Sequence, residues 1–168
     1  MPYANLHHFP SPHLLHTRAP VELSVARRMS YAARALIFGD TTVPYLAPAY
    51  SGAVVGSGGG GALTVTVSFK SPPPSSGTLS LRPAACPVGI GGLPASECSW
   101  FEVQTQDGAW HNSTGVDLSG DSKSLVLTVG GVTAGTAVNA TRGFFSPWPV
   151  VVLFSAEGLP VLPWWEAL

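Results

Sequence analysis

The segment Val138–Trp165, VNATRGFFSPWPVVVLFSAEGLPVLPWW, decides how the rest of the chain is read. At its centre Val150-Val151-Val152-Leu153-Phe154 is a continuous apolar run, rich in β-branched residues and bounded by Pro149 and Gly158. A run of this kind reads as a short strand buried on both faces. Pro147, Pro149, Pro160 and Pro163 restrict φ on either side of it. The tail is therefore expected to be a rigid cover over a sheet, not a loose end.

Upstream of the tail the hydrophobic pattern has period two. Leu63, Val65, Val67 and Phe69 alternate with Thr64, Thr66 and Ser68 after the flexible stretch Gly56–Gly61. Leu79 and Leu81 alternate with Thr78, Ser80 and Arg82, and Phe101, Val103 and Thr105 with Glu102, Gln104 and Gln106. Asp107-Gly108 reads as a two-residue hairpin turn leading into Trp110. Leu125, Leu127 and Val129 mark another strand, closed by Gly130-Gly131. With strands also at 50–55, 137–145 and 150–155, about seven or eight strands fit a β-sandwich over 50–168. The expected fold class is mainly β.

Before residue 50 the pattern differs. Residues 1–19 are rich in histidine and proline, with His7, His8, His13 and His16, and Pro10 and Pro12 argue for a loop. A helix is expected from Pro20, with Glu22 in its first turn, to a stop at Gly39. It would be roughly 28 Å long. Val21, Val25, Met29, Ala32 and Leu36 form one apolar stripe, and Arg27, Arg28 and Arg34 lie away from it. Such a helix needs a sheet to pack on, so part of the stripe is expected to be exposed. Residues 40–49 read as a linker.

Composition excludes several classes. The 168-residue chain is 45% hydrophobic, enough for a core, and its net charge of −1 with 10% charged residues offers nothing to nucleic acid or anionic lipid. Gly 19 and Pro 16 favour turns and short strands over long helices. The stretch after Met1, PYANLHHFP, lacks the cationic start and apolar core of a signal peptide. The apolar tail, broken by Pro149, Glu157, Gly158 and Pro160, falls short of the ~20 residues of a membrane span. Cys86 and Cys98, with the sequons Asn112-Ser113-Thr114 and Asn139-Ala140-Thr141, are compatible with a secreted protein. The two cysteines fit a disulfide or two buried thiols equally. A secretory-looking chain with no signal is expected to have lost its beginning.

Arg142, then Trp148-Pro149, Gly158-Leu159-Pro160 and Pro163-Trp164, resemble the closing signature of sialate O-acetylesterases. In that family the order is Arg-Tyr-Ala-Trp-x-x-Trp-Pro, followed by Gly-Leu-Pro-Ala-x-Pro and an aromatic. Gly143 and Phe145 depart from it. A second stretch, Val25-Ala26-Arg27-Arg28-Met29 with Ala32-Ala33-Arg34-Ala35-Leu36 and Phe38-Gly39, is similar to the helix that ends the family's catalytic domain, an α/β SGNH-hydrolase fold. There the helix follows a His-Pro-Arg or His-Thr-Arg motif that holds the catalytic histidine. His16-Thr17-Arg18 is the match.

The resemblance implies that residues 1–39 end a catalytic SGNH-hydrolase domain and that 50–168 form the family's C-terminal β domain. It implies a carbohydrate esterase acting on acetylated sugars or sialic acid, secreted or lysosomal, with no cofactor and no metal. His16 would be the base, since imidazole titrates near neutral pH. The family's nucleophile motif, Gly-Gln-Ser-Asn-Met, does not occur in the chain, so an N-terminal catalytic half is expected elsewhere. His13, not an aspartate, stands three residues before His16.

Blander readings stand beside these. A His- and Pro-rich terminus is commonly a solvated tail. The paired histidines lack a carboxylate or thiol to complete a metal set. Arg142 can be a strand-end charge, and the tryptophans can be core or interface residues. A non-catalytic β-sandwich that binds glycans through exposed Trp110, Trp164 or Trp165 is the alternative function.

Overall fold

The computed structural model describes residues 19–82, 100–145 and 151–168. The chain divides into two compact units, one ending at Val43 and the other spanning Pro44–Leu168.

In the first unit the described element is helix α1, Ala19–Phe38. It stops as the sequence suggests, on Gly39 with φ +68°, the left-handed conformation that glycine adopts without strain. Asp40 fastens that end. It accepts two bonds from the Arg34 guanidinium, at 2.6 and 3.0 Å, and two from Thr42, from the hydroxyl at 2.6 Å and the backbone N–H at 2.9 Å. The Thr42 hydroxyl, then its N–H, then Arg34 hold the Asp40 carboxyl down at about 2. Val25, Met29 and Leu36 of the expected stripe are exposed, and Ala32 is half-buried.

The second unit is mainly β. Among the described residues its strands are β1 Ala49–Ser57, β2 Ala62–Lys70, β3 Leu79–Leu81, β4 Phe101–Thr105, β5 Trp110–Leu118, β6 Ser124–Thr133, β7 Val138–Gly143, β8 Leu153–Ser155 and β9 Trp164–Ala167. Seven form an antiparallel sheet in the order β1-β2-β6-β5-β4-β7-β9, and β3 pairs with β8 in a separate ribbon. The alternation in the sequence accounts for the core. Leu63, Val65 and Val67 of β2 sit opposite Val129, Leu127 and Leu125 of β6, and all six are fully buried. Such cross-strand pairs on one face are what fix a strand's register.

The seven-stranded sheet is continuous and folds over on itself. The reason lies in β5, which divides its hydrogen bonds. Trp110, His111 and Asn112 pair with β4, whereas Ser113 and Gly115–Leu118 pair with β6. A register shift between Ser113 and Gly115 leaves Thr114 as an extra residue, and such a bulge bends a strand and sharpens its twist. Gly130 makes room for it, since a Cβ there would lie 2.6 Å from the Thr114 methyl. Beyond the bend the outer strands approach each other. Trp164 of β9 stacks on Tyr50 of β1 at 6.4 Å, and the Leu162 N–H donates to the Pro48 carbonyl at 2.9 Å.

Of the expected strand 150–155, the described residues 151–155 form a strand only at β8. Val152 and Leu153 are buried, but Phe154 is half-buried beneath the Arg82 guanidinium, 4.2 Å from its ring centre. The hairpin after β4 is also longer than the sequence suggests. Thr105 and Ala109 close a three-residue loop, Gln106–Gly108, with the Gly108 N–H donating to the Thr105 carbonyl at 2.9 Å and Gly108 at φ +84°. Asp107 favours it by accepting bonds from the Thr105 hydroxyl and the Ala109 N–H.

After β8 the chain turns at Gly158, φ +85°, and brings Leu159 and Val161 into the core. Glu157 in this turn ties down the loop before β3. It accepts from the Ser75 hydroxyl at 2.9 Å, the Ser76 N–H at 3.0 Å and the Ser76 hydroxyl at 3.1 Å. Partial burial raises its pKa, the largest single effect. The bonds from the Ser76 N–H, its own N–H and the Ser155 and Ser75 hydroxyls together outweigh it, and the carboxyl ends at about 2. A depressed folded pKa contributes stability above the ordinary value of 4.5, lost as pH falls through about 2. Glu157→Gln is therefore expected to cost about 1 kcal/mol near neutrality. Urea midpoints of the two proteins should converge as the buffer is taken from about pH 5 to 2. A gap that persists at the acid end would show that the carboxylate is not the cause.

Candidate functional site

Period two turns Phe101, Val103 and Thr105 of β4 into the core and leaves Glu102 and Gln104 on the outer face. The register carries this face across the sheet. Gln104 lies opposite Trp110 and Glu102 opposite Asn112 on one side, Glu102 faces Arg142 on the other, and Arg142 faces Trp165. Residues far apart in sequence are thus placed side by side.

Arg142 is the centre of the group. Its guanidinium donates to both Glu102 oxygens, Nε at 2.6 Å and Nη2 at 3.0 Å, and both side chains are 19% exposed. The same guanidinium lies 4.1 Å from the Trp110 ring centre, 5.1 Å from Phe145 and 5.9 Å from Trp165. Trp165 meets Trp110 edge-on at 6.0 Å and Phe145 edge-on at 4.8 Å. A planar, delocalised cation suits both tasks, the forked pairing and the stacking.

Two features shape the rim. Phe144 has φ +58°, a conformation that costs an L-residue on the order of 1 kcal/mol. The turn sends the Phe144 ring inward, edge-on to Phe101 at 5.2 Å, and leaves Phe145 outside, 52% exposed. Successive residues of β9 likewise part company. Trp165 is 55% exposed, whereas Trp164 is 5% exposed and its indole N–H donates to the Thr141 hydroxyl at 3.2 Å. Trp164 therefore cannot be one of the solvent-facing aromatics of a glycan-binding module, as the sequence allowed.

Arg142→Lys keeps the charge but loses the fork and the ring contacts. It is expected to lower the unfolding free energy by about 1–2 kcal/mol. Urea unfolding reads this directly, and unchanged stability would reduce Arg142 to an ordinary strand-end charge.

A second feature, missed by sequence reasoning, is a shallow open groove of about 730 Å³ between the β4–β5 and β6–β7 turns, lined by Thr105, Asp107 and His111 among others. The Thr105 hydroxyl lies 2.6 Å from Asp107 Oδ1, 3.2 Å from the Ala109 carbonyl and 3.0 Å from His111 Nε2. It resembles a nucleophile beside a base, but the proton count argues otherwise. The Thr105 hydroxyl, more than any other contact, holds the Asp107 carboxyl below its ordinary range, so Asp107 is ionised at neutral pH and takes the single hydroxyl proton. His111 must then donate its Nε2–H to the same oxygen and has no lone pair there to act as base. Thr105 is also buried. The constellation is a turn lock.

His16, the expected base, lies outside the described residues, as do His7, His8, His13, Trp148, Cys86 and Cys98. Among the described residues no group of three or more His, Cys, Asp or Glu could hold a metal ion, and no helix is long and apolar enough to cross a membrane. Glu102 was not singled out by sequence, because nothing local ties it to an arginine 40 positions away. Compared with known proteins, the chain matches no protein-family model, no curated protein and no solved structure.

Proposed function

We propose that the chain is the C-terminal portion of a sialate O-acetylesterase-like carbohydrate esterase. Residues 1–39 end its SGNH-hydrolase domain, 40–49 link, and 50–168 form its accessory β domain. In the complete enzyme a serine from the N-terminal half attacks the acetyl ester on a sugar or sialic acid hydroxyl, and His16 takes the serine proton. The sugar leaves, and water releases acetate from the acyl-enzyme. The protein works outside the cytosol, secreted or lysosomal.

One observation supports the reading most. The described residues of the closing signature lie in or against the β domain's sheet. Arg142 anchors the outer face, Gly143 lies opposite Trp164 on the inner face, and Leu159 is buried after the Gly158 turn. A signature whose members hold one sheet closed is what an accessory domain would retain. Gly143 has its own reason for differing from the family's tyrosine: a Cβ there would clash with the Trp164 ring carbons.

The test is acetate release. The chain alone should hydrolyse no acetylated chromogenic ester above background, because an imidazole without its nucleophile has no covalent route. The transcript upstream of Met1 should carry an in-frame Gly-Gln-Ser-Asn-Met, and the chain joined to that half should be active. Turnover by the chain alone, abolished by a serine-directed inhibitor, would overturn the fragment reading. The second reading, a non-catalytic glycan-binding module, is favoured only by the exposure of Trp165 and Phe145.

A further inference from the structure

We propose that Asn112 carries an N-linked glycan whose first sugar lies on the Trp110–Trp165–Phe145 face. The argument begins with placement. Asn112-Ser113-Thr114 is an acceptor sequon, and Asn112 and Thr114 are both exposed. Trp110 stands two residues before Asn112 on β5, and both pair with outward-facing residues of β4. Residues two apart on a strand share a face, about 6.6 Å apart. A sugar on the Asn112 amide is thus delivered beside the indole.

The chemistry of the face fits that occupant. Trp165 and Phe145 are each more than half exposed and meet edge-on. Aromatic faces carry negative charge density, and one side of a pyranose presents only C–H bonds, which suits them. The Arg142–Glu102 pair lies on the same outer face. Tethering makes weak stacking sufficient, because a covalently held sugar has a high effective concentration at the face.

The second sequon behaves differently. Two residues before Asn139 stands Ala137, which offers no ring, and the hydroxyl of Thr141 is buried against the Trp164 indole. A sugar at Asn139 has no aromatic face to cover.

In the modification the Asn112 amide nitrogen bonds to the anomeric carbon of a lipid-linked diphosphate sugar donor and loses a proton. The anomeric C–O bond breaks and the lipid diphosphate leaves. The proposal rests on the secretory address in the proposed function, not on the esterase chemistry.

The full chain, given a secretion signal and made in eukaryotic cells that attach N-glycans, separates the two. Glycopeptide mass spectrometry should find Asn112 occupied. After endoglycosidase trimming to one N-acetylglucosamine, the protein should melt roughly 2–6 °C above Asn112→Gln. In the Trp165→Ala background at least half of that gap should vanish. Ring currents should also shift the sugar's N-acetyl methyl upfield in the wild-type protein, a measurement that needs no variant to fold. If the chain is not secreted, translation with microsomes reads occupancy without folding. Lack of an Asn112-dependent, glycosidase-sensitive band there would overturn the proposal. So would an occupied Asn112 with an unshifted methyl and equal melting gaps. Binding of free N-acetylated sugars by Asn112→Gln, lost in Trp165→Ala, would give the face to an external ligand instead.

Discussion

Gly143→Ala should remove about 3 kcal/mol of stability, more than most single additions of a methyl group. The new Cβ would clash with the Trp164 ring carbons, so one of the two must move. The ring has little freedom to do so. It stacks on Tyr50 and Phe101, meets Phe69 and Phe144 edge-on, and is hydrogen-bonded to Thr141. Displacing it disturbs every one of these contacts and strands a buried indole N–H. Trp164→Ala should cost about 3–5 kcal/mol for the same reasons. Because the two substitutions attack one packing unit, the double mutant should be much less than the sum. Urea unfolding gives the free energies, and near-ultraviolet circular dichroism reports the indole. A Gly143→Ala protein as stable as wild type, with an unchanged aromatic spectrum, would show that the ring shifts freely and that the closure is soft.

In the proposed esterase, with its N-terminal half restored, His16→Ala should lose roughly three or more orders of magnitude of turnover, the usual effect of removing a triad base. Three arguments single out His16 among the terminal histidines. It alone is followed by Thr-Arg, the order that the family resemblance associates with its base. In sequence it is the histidine nearest the start of α1 at Ala19, whereas His7 and His8 stand further toward the terminus. A base must also be held about 3 Å from the proton it takes, which favours the position nearest the helix. His13→Ala should leave most of the activity. The comparison requires the N-terminal half, with single-turnover kinetics on an acetylated sugar. Equal losses at the two positions, or a larger loss at His13, would sink the assignment.

The strands were legible wherever one face is buried. Leu63-Val65-Val67, Leu125-Leu127-Val129 and Phe101-Val103 follow a strict alternation, and the structure places each of them in the core. The helix was legible from its ends, since Gly39 stops it as its lack of a Cβ permits. What escaped was pairing. β9 has four residues and no run of alternation, and it is a strand only because β7 is there to bond it. The fold-over at β5 depends on where a bulge falls against β6, and no single strand carries that information. The same holds for the Arg142 cluster. The aromatics were visible one by one, but their meeting with Glu102 is a product of register, set by side chains on the opposite face.

The meeting of β1 with β9 has a consequence for the protein among other molecules. A sheet that ends in open space presents a row of unpaired N–H and C=O groups, the template on which foreign strands add and fibrils begin. Here the outer strands are drawn toward each other and locked by one tryptophan whose sole allowance of space is a glycine hydrogen. The packing of Trp164 on Tyr50 is expected to limit access to these edges as well as contributing to the core. Trimming the last dozen or so residues would leave β7 bare along one side and Tyr50 without its cover, and should promote strand addition and aggregation.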